Sequence, residues 1–66
     1  MNKPKYPNIH VSTDIDGNAF AILGKVAAAL RSNEVSQQEI DEFFEEATSG
    51  DYDHLLRTVM SWVNFS

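Results

Sequence analysis

The chain has 66 residues and no cysteine, which limits it to one domain and excludes disulfide and zinc–thiolate staples. A hydrophobic fraction of 42% with 11% aromatics is that of a folded domain, too rich for a disordered acidic tail. The formal charge of −5 is unevenly spread, +2 over residues 1–33 and −7 over residues 34–66, which opposes phosphate and disfavours nucleic acid as a partner.

Residues 1–7 read as a flexible arm, because Pro4 and Pro7 push Lys3 and Tyr6 toward extended conformations. Residues 8–66 read as the compact domain. Ile9 and Val11 alternate with His10 and Ser12, which predicts a short strand over residues 9–13. Residues 14–18 carry turn chemistry and end in Asn18, a side chain suited to N-capping.

A first helix follows over residues 19–31, with Phe20, Leu23, Ala27 and Leu30 on one stripe, widened by Ile22 and Val26. Gly24 and residues 27–29 leave one side of it thin enough for another backbone to approach. Ser32 and Asn33 end it. Ser36 and Glu39 have the spacing of a capping box, and Val35 with Ile40 that of a hydrophobic staple. The second helix should bury Ile40, Phe43, Phe44 and Ala47, and Gly50 is placed for a left-handed stop.

Asp51 then caps a third helix, whose apolar face holds Leu55, Leu56, Val59, Met60, Trp62 and Val63. Val63 and Phe65 also fit a second short strand. A lone strand cannot satisfy its own backbone, so residues 9–13 pair with residues 63–65, pair with their copy in a homodimer, or form no strand, in that order. The expected fold is a small α-rich α+β domain: an N-terminal strand, three short helices, and a short C-terminal strand as the favoured partner.

Three constellations carry candidate chemistry. Ser12, Asp14, Asp16 and Gly17 have the opening spacing of a calcium-binding EF-hand loop, but Leu23 stands where the bidentate glutamate belongs. A strand-to-helix turn is expected there instead. Asp51, Asp53 and His54 share one turn, yet His10 and His54 are the only histidines and no ligand spacing joins them, so a capped helix start is expected. Glu42 with Glu45 or Glu46 has the residue types of an acid–base pair, but the polar face of an amphipathic helix predicts solvated carboxylates. No Gly-rich phosphate loop or nucleophile elbow is present. The expectation is no catalytic residue, no metal ligand and no cofactor. Lys3 and Lys5 beside Tyr6 supply too little charge for useful nucleic-acid affinity.

No run approaches the ~18–20 apolar residues of a membrane span, and the first eight residues lack the apolar core of a secretory signal. No membrane association and a cytoplasmic location are expected.

The run from Asp16 through Gly24 (DGNAFAILG), then Ala29-Leu30-Arg31, the run from Ser49 through Leu56 (SGDYDHLL) and Trp62-Val63 resemble a family of small uncharacterised bacterial and phage-encoded proteins, across residues 8–65. The family has no assigned activity, so the resemblance implies one compact domain with the two longer runs at helix starts, and no mechanism. Tyr52, His54 and Arg57 have the least structural employment in those runs, which directs attention to the start of the third helix as a shared binding surface.

These readings converge on a non-catalytic protein-interaction module. It would present Glu39, Glu42, Glu45 and Glu46 of the second helix, with Tyr52, His54 and Arg57 near the helix junction, to a protein with a basic surface. The alternatives are an acidic regulator or inhibitor that mimics nucleic-acid charge on a basic protein, and a metal-dependent or small-ligand enzyme.

Overall fold

A computed structural model describes residues 3–12 and 17–65. Strand β1 (Tyr6–Val11) leads to helices α1 (Ala19–Ser32), α2 (Gln37–Ala47) and α3 (Tyr52–Trp62), and α3 runs directly into strand β2 (Val63–Phe65). The two strands form a parallel two-stranded sheet, with Tyr6 opposite Val63, His10 opposite Asn64 and Val11 opposite Phe65. Parallel neighbours need a long crossover, and here all three helices supply it. The register is irregular between Tyr6 and His10, and the Lys5 amide extends the pairing by donating to the Ser61 carbonyl at 2.9 Å.

The strand therefore begins three residues before the expected one, inside residues 1–7. Lys5 and Tyr6 are tied to α2 and α3 as well as to β2, and those ties are long-range contacts that local pattern does not encode. Thr13, Asp14, Ile15 and Asp16, and with them most of the calcium-like loop, lie outside the described residues.

The core gathers one face of every element: Ile9 and Val11 from β1, Ile22, Leu23, Val26, Ala27 and Leu30 from α1, Ile40, Phe43 and Ala47 from α2, Leu55 and Val59 from α3, and Val63 from β2. Phe20 departs from its predicted stripe and is 83% exposed. It stands in the first turn of α1, where Ala19 and Ile22 face the core and Phe20 and Ala21 turn outward. Met60 is likewise 50% exposed, because the buried face of α3 is set by Leu55, Thr58 and Val59.

Each helix starts on the residue its sequence nominates. Asn18 Oδ1 accepts from the Phe20 amide at 2.8 Å, Ser36 Oγ from the Glu39 amide at 3.3 Å, and Asp51 Oδ1 from the His54 amide at 2.9 Å. Helix ends follow other rules. At the end of α1 the Val35 amide donates to the Leu30 carbonyl and the Glu34 amide to the Arg31 carbonyl, both at 3.0 Å. That is the Schellman pairing, with Glu34 at the left-handed position (φ 63°) that glycine ordinarily fills. Gly50 does not play that role at the end of α2, since no described glycine has positive φ. Its lack of a side chain matters for another reason: a Cβ there would meet the His54 ring and Cβ at 2.8–2.9 Å. At Gly24 a Cβ would meet nothing within 4 Å, so the thin side of α1 is not pressed by any described part of the chain.

Candidate functional site

Glu42, Glu45, Glu46 and Ser49 recur at i, i+3, i+4 and i+7, which places them on one stripe of α2 and its C-terminal turn. They line an open groove of about 280 Å³. Among the described residues, no cationic side chain lies within ion-pair distance of Glu42 or Glu45. The stripe is acidic and uncompensated because the sequence supplies no Lys or Arg from Ser32 to Leu56.

His54 does not line this groove but packs against two residues that do, Glu46 and Ser49. Its Nε2 lies 2.9 Å from the Glu46 carbonyl oxygen, 3.2 Å from the Glu46 carboxylate and 3.1 Å from Ser49 Oγ. A carbonyl only accepts, so the contact assigns a proton to Nε2. Ser49 Oγ donates to the same carbonyl at 2.7 Å. The imidazole reaches these groups because Gly50 leaves room for it, and the Thr58 hydroxyl anchors the following turn by donating to the His54 carbonyl at 2.9 Å. The result is a fixed α2–α3 corner in which His54 joins the Ser49 amide and hydroxyl on the Glu46 carbonyl near the end of α2. Asp51 and Asp53 are spent otherwise, on the helix cap and on Arg57.

Glu39 belongs to a different cluster. Its carboxylate does not complete the capping box; it accepts from the Tyr6 hydroxyl at 2.7 Å and from the Lys5 ammonium at 2.7 Å. Lys5 Nζ lies 4.4 Å from the Trp62 ring centroid, a cation–π contact, and Trp62 packs edge-on against Phe43 with centroids 5.5 Å apart. Hydrogen bonds from Lys5 and then Tyr6 hold the Glu39 carboxyl below its ordinary range, while the Glu39 carboxylate raises both Lys5 and Tyr6 above theirs. Glu39 is thereby a fastener for β1.

Tyr52 and Arg57 stand elsewhere again. The Tyr52 hydroxyl donates to the Gly17 carbonyl, joining the starts of α1 and α3. Arg57 Nε pairs with Asp53 Oδ2 at 3.0 Å along the exposed side of α3. The seven residues singled out in the sequence therefore fall into three groups. Glu42, Glu45 and Glu46 come together at the groove, with His54 held behind Glu46; Glu39 is diverted to the strand; Tyr52 and Arg57 lie on the outer face of α3. Ser49 was missed, although its spacing from Glu42 is a readable signal. The Lys5, Tyr6 and Trp62 cluster joins residues more than 30 positions apart, and no local signal marks it.

Among the described residues, no group of three or more His, Asp or Glu side chains is placed to hold a metal ion. No described helix is long and apolar enough to cross a membrane. No family model, no curated protein and no solved structure matches the chain.

Proposed function

We propose that the protein is a non-catalytic interaction module whose Glu42, Glu45, Glu46 and Ser49 groove receives a basic segment of a partner protein. The observation that supports this reading is that Glu42 and Glu45 face a groove with no cation of the described chain within ion-pair distance. Like charges at i, i+3 and i+4 oppose helix formation by a few tenths of a kcal/mol each. A Lys or Arg side chain arriving from a partner relieves that repulsion and finds several acceptor oxygens at once. The Ser49 hydroxyl adds a neutral polar contact, and the His54 corner keeps the groove's end in place.

The test is binding of a lysine- and arginine-rich peptide, measured at low and at physiological ionic strength. Association should slow several-fold as salt screens charges beyond about 8–10 Å. The triple variant Glu42→Gln, Glu45→Gln, Glu46→Gln should lose most of the binding. A control triple, Glu34→Gln, Asp41→Asn, Asp53→Asn, changes the net charge equally and should lose much less. Equal loss in the two triples would reduce the stripe to a contribution to solubility.

A further inference from the structure

The outer face of α3 is not acidic, and although the Tyr52 hydroxyl reaches the Gly17 carbonyl and Leu56 leans on the core, much of its apolar surface is left uncovered. Tyr52, Leu56 and Met60 recur every four residues and form one ridge along the helix. Tyr52 is 46% and Met60 50% exposed, two of the three large apolar side chains that stand out from the described surface; Leu56 between them is half-buried. Beside this ridge runs a second one carrying Asp53 and Arg57, whose side chains are 68% and 76% exposed. Leu55, Thr58 and Val59, on the opposite side, hold the helix to the core.

The order of these residues is self-complementary. Turn a second α3 end for end about a two-fold axis near Leu56. Tyr52 then meets the partner's Met60, Leu56 meets the partner's Leu56, and Asp53 comes within about one turn of the partner's Arg57, each contact repeated by symmetry. An isologous interface requires this kind of palindrome, because every residue must find a counterpart on an identical surface. The ridge spacing is also that of the commonest helix–helix packing class, in which i±4 ridges of both helices interdigitate. A thioether against a phenol ring is a favourable pair, and Tyr and Met are enriched where interfaces are fully buried. A basic segment has no comparable reason to settle here, since Arg57 already neutralises Asp53.

We infer that the Tyr52–Leu56–Met60 ridge, flanked by Asp53 and Arg57, is a homodimer interface in which two copies of α3 pack antiparallel. The contact is independent of the acidic groove, which lies on a different helix. The protomers approach against their like net charge of −5, a repulsion that added salt screens, so this association loses less to salt than capture of a basic peptide does.

Sedimentation of the full chain from micromolar to several hundred micromolar tests the inference. The weight-average mass should rise from 7.4 kDa toward twice that value. Leu56→Glu sets like charges on the axis and should weaken dimerisation at least about tenfold. Met60→Lys should do the same and, lying at an exposed position, does so without touching the core; helical circular dichroism confirms that each variant folds. Asp53→Arg and Arg57→Asp alone should each weaken the dimer, and the double swap should restore it, because both reciprocal pairs reverse together. The chain has no cysteine, so Leu56→Cys should oxidise to a covalent dimer while Ala28→Cys, on the far thin side of α1, should not. A mass that stays at 7.4 kDa throughout would overturn the inference. So would a dimer indifferent to Met60→Lys and Leu56→Glu, or a double swap no better than the single ones. Loss of peptide binding in the glutamine triple with dimerisation intact leaves this inference standing, so the two readings fail separately.

Discussion

Glu34 holds the least comfortable backbone position among the described residues. Its φ of 63° is the left-handed conformation that closes the Schellman turn, and a Cβ there meets the following carbonyl at a cost of about 1–2 kcal/mol. The turn is nonetheless specified, because Val35 must return to the core one residue later and its amide must reach the Leu30 carbonyl. Glu34→Gly should therefore stabilise the protein by about 0.5–1 kcal/mol, after allowing for the extra freedom glycine gives the unfolded chain. For a domain of this size that raises Tm by a few degrees, on the usual scale of about 4–8 °C per kcal/mol. A fall in Tm would mean that the Glu34 side chain contributes more than its backbone costs. Ser32 and Asn33 mark in the sequence where α1 ends, but the motif that ends it carries no glycine and only its bonding pattern reveals it.

At the scale of elements, helix starts and strand pairing were legible, and the reason is chemical. Asn18, Ser36 and Asp51 are caps that act within two or three residues, so sequence spacing suffices to find them. The amphipathic stripes located most of the core. Phe20 and Met60 were misplaced because an apolar residue at a stripe's margin is pulled in or left out by the neighbour that packs there, which periodicity does not know. Half of the capping box failed for a related reason. The Glu39 carboxylate had a charged and a phenolic donor to choose from in Lys5 and Tyr6, and these outcompete a neutral backbone amide. The groove residues Glu42, Glu45 and Glu46 were visible as a charged face, whereas their junction with His54 depends on Gly50, an absence of atoms.

The docking of β1 onto α2 makes a pH prediction. Glu39 is held below its ordinary range, so its contribution is complete above the unfolded value near 4.5 and disappears as the pH falls through the lowered one. Lys5 and Tyr6 are raised, so their contributions are complete below their unfolded values near 10.5 and 10.0 and disappear as the pH rises through the raised ones. Trp62 is the only tryptophan and lies under the Lys5 ammonium, so its emission reports the joint. The spectrum should be constant across neutral pH and change at both extremes. Lys5→Ala should shift it at neutral pH and lower stability only slightly, as loss of an exposed ion pair does. Lys3→Ala is the control; an identical response in the two variants would remove Lys5 from the joint.

For the whole molecule, the placement of β1 and β2 has a mechanical meaning. The strands are parallel, and one comes first and the other last among the described elements. Tension applied at Lys3 and Phe65 therefore draws β1 and β2 past one another lengthwise, loading the interstrand hydrogen bonds together instead of one at a time. Tension applied between Glu34 and Gly50 only peels α2 from its neighbours. Single-molecule pulling should need a higher force along the first axis than along the second, although both measure the same folded state; forced unfolding is governed by the barrier crossed and not by the equilibrium stability. Equal forces along both axes would mean that the short β2 yields before the load is shared. Two folded states of equal stability can thus differ in toughness, and here the direction of pull decides whether the outermost described strands are sheared or the helices peeled.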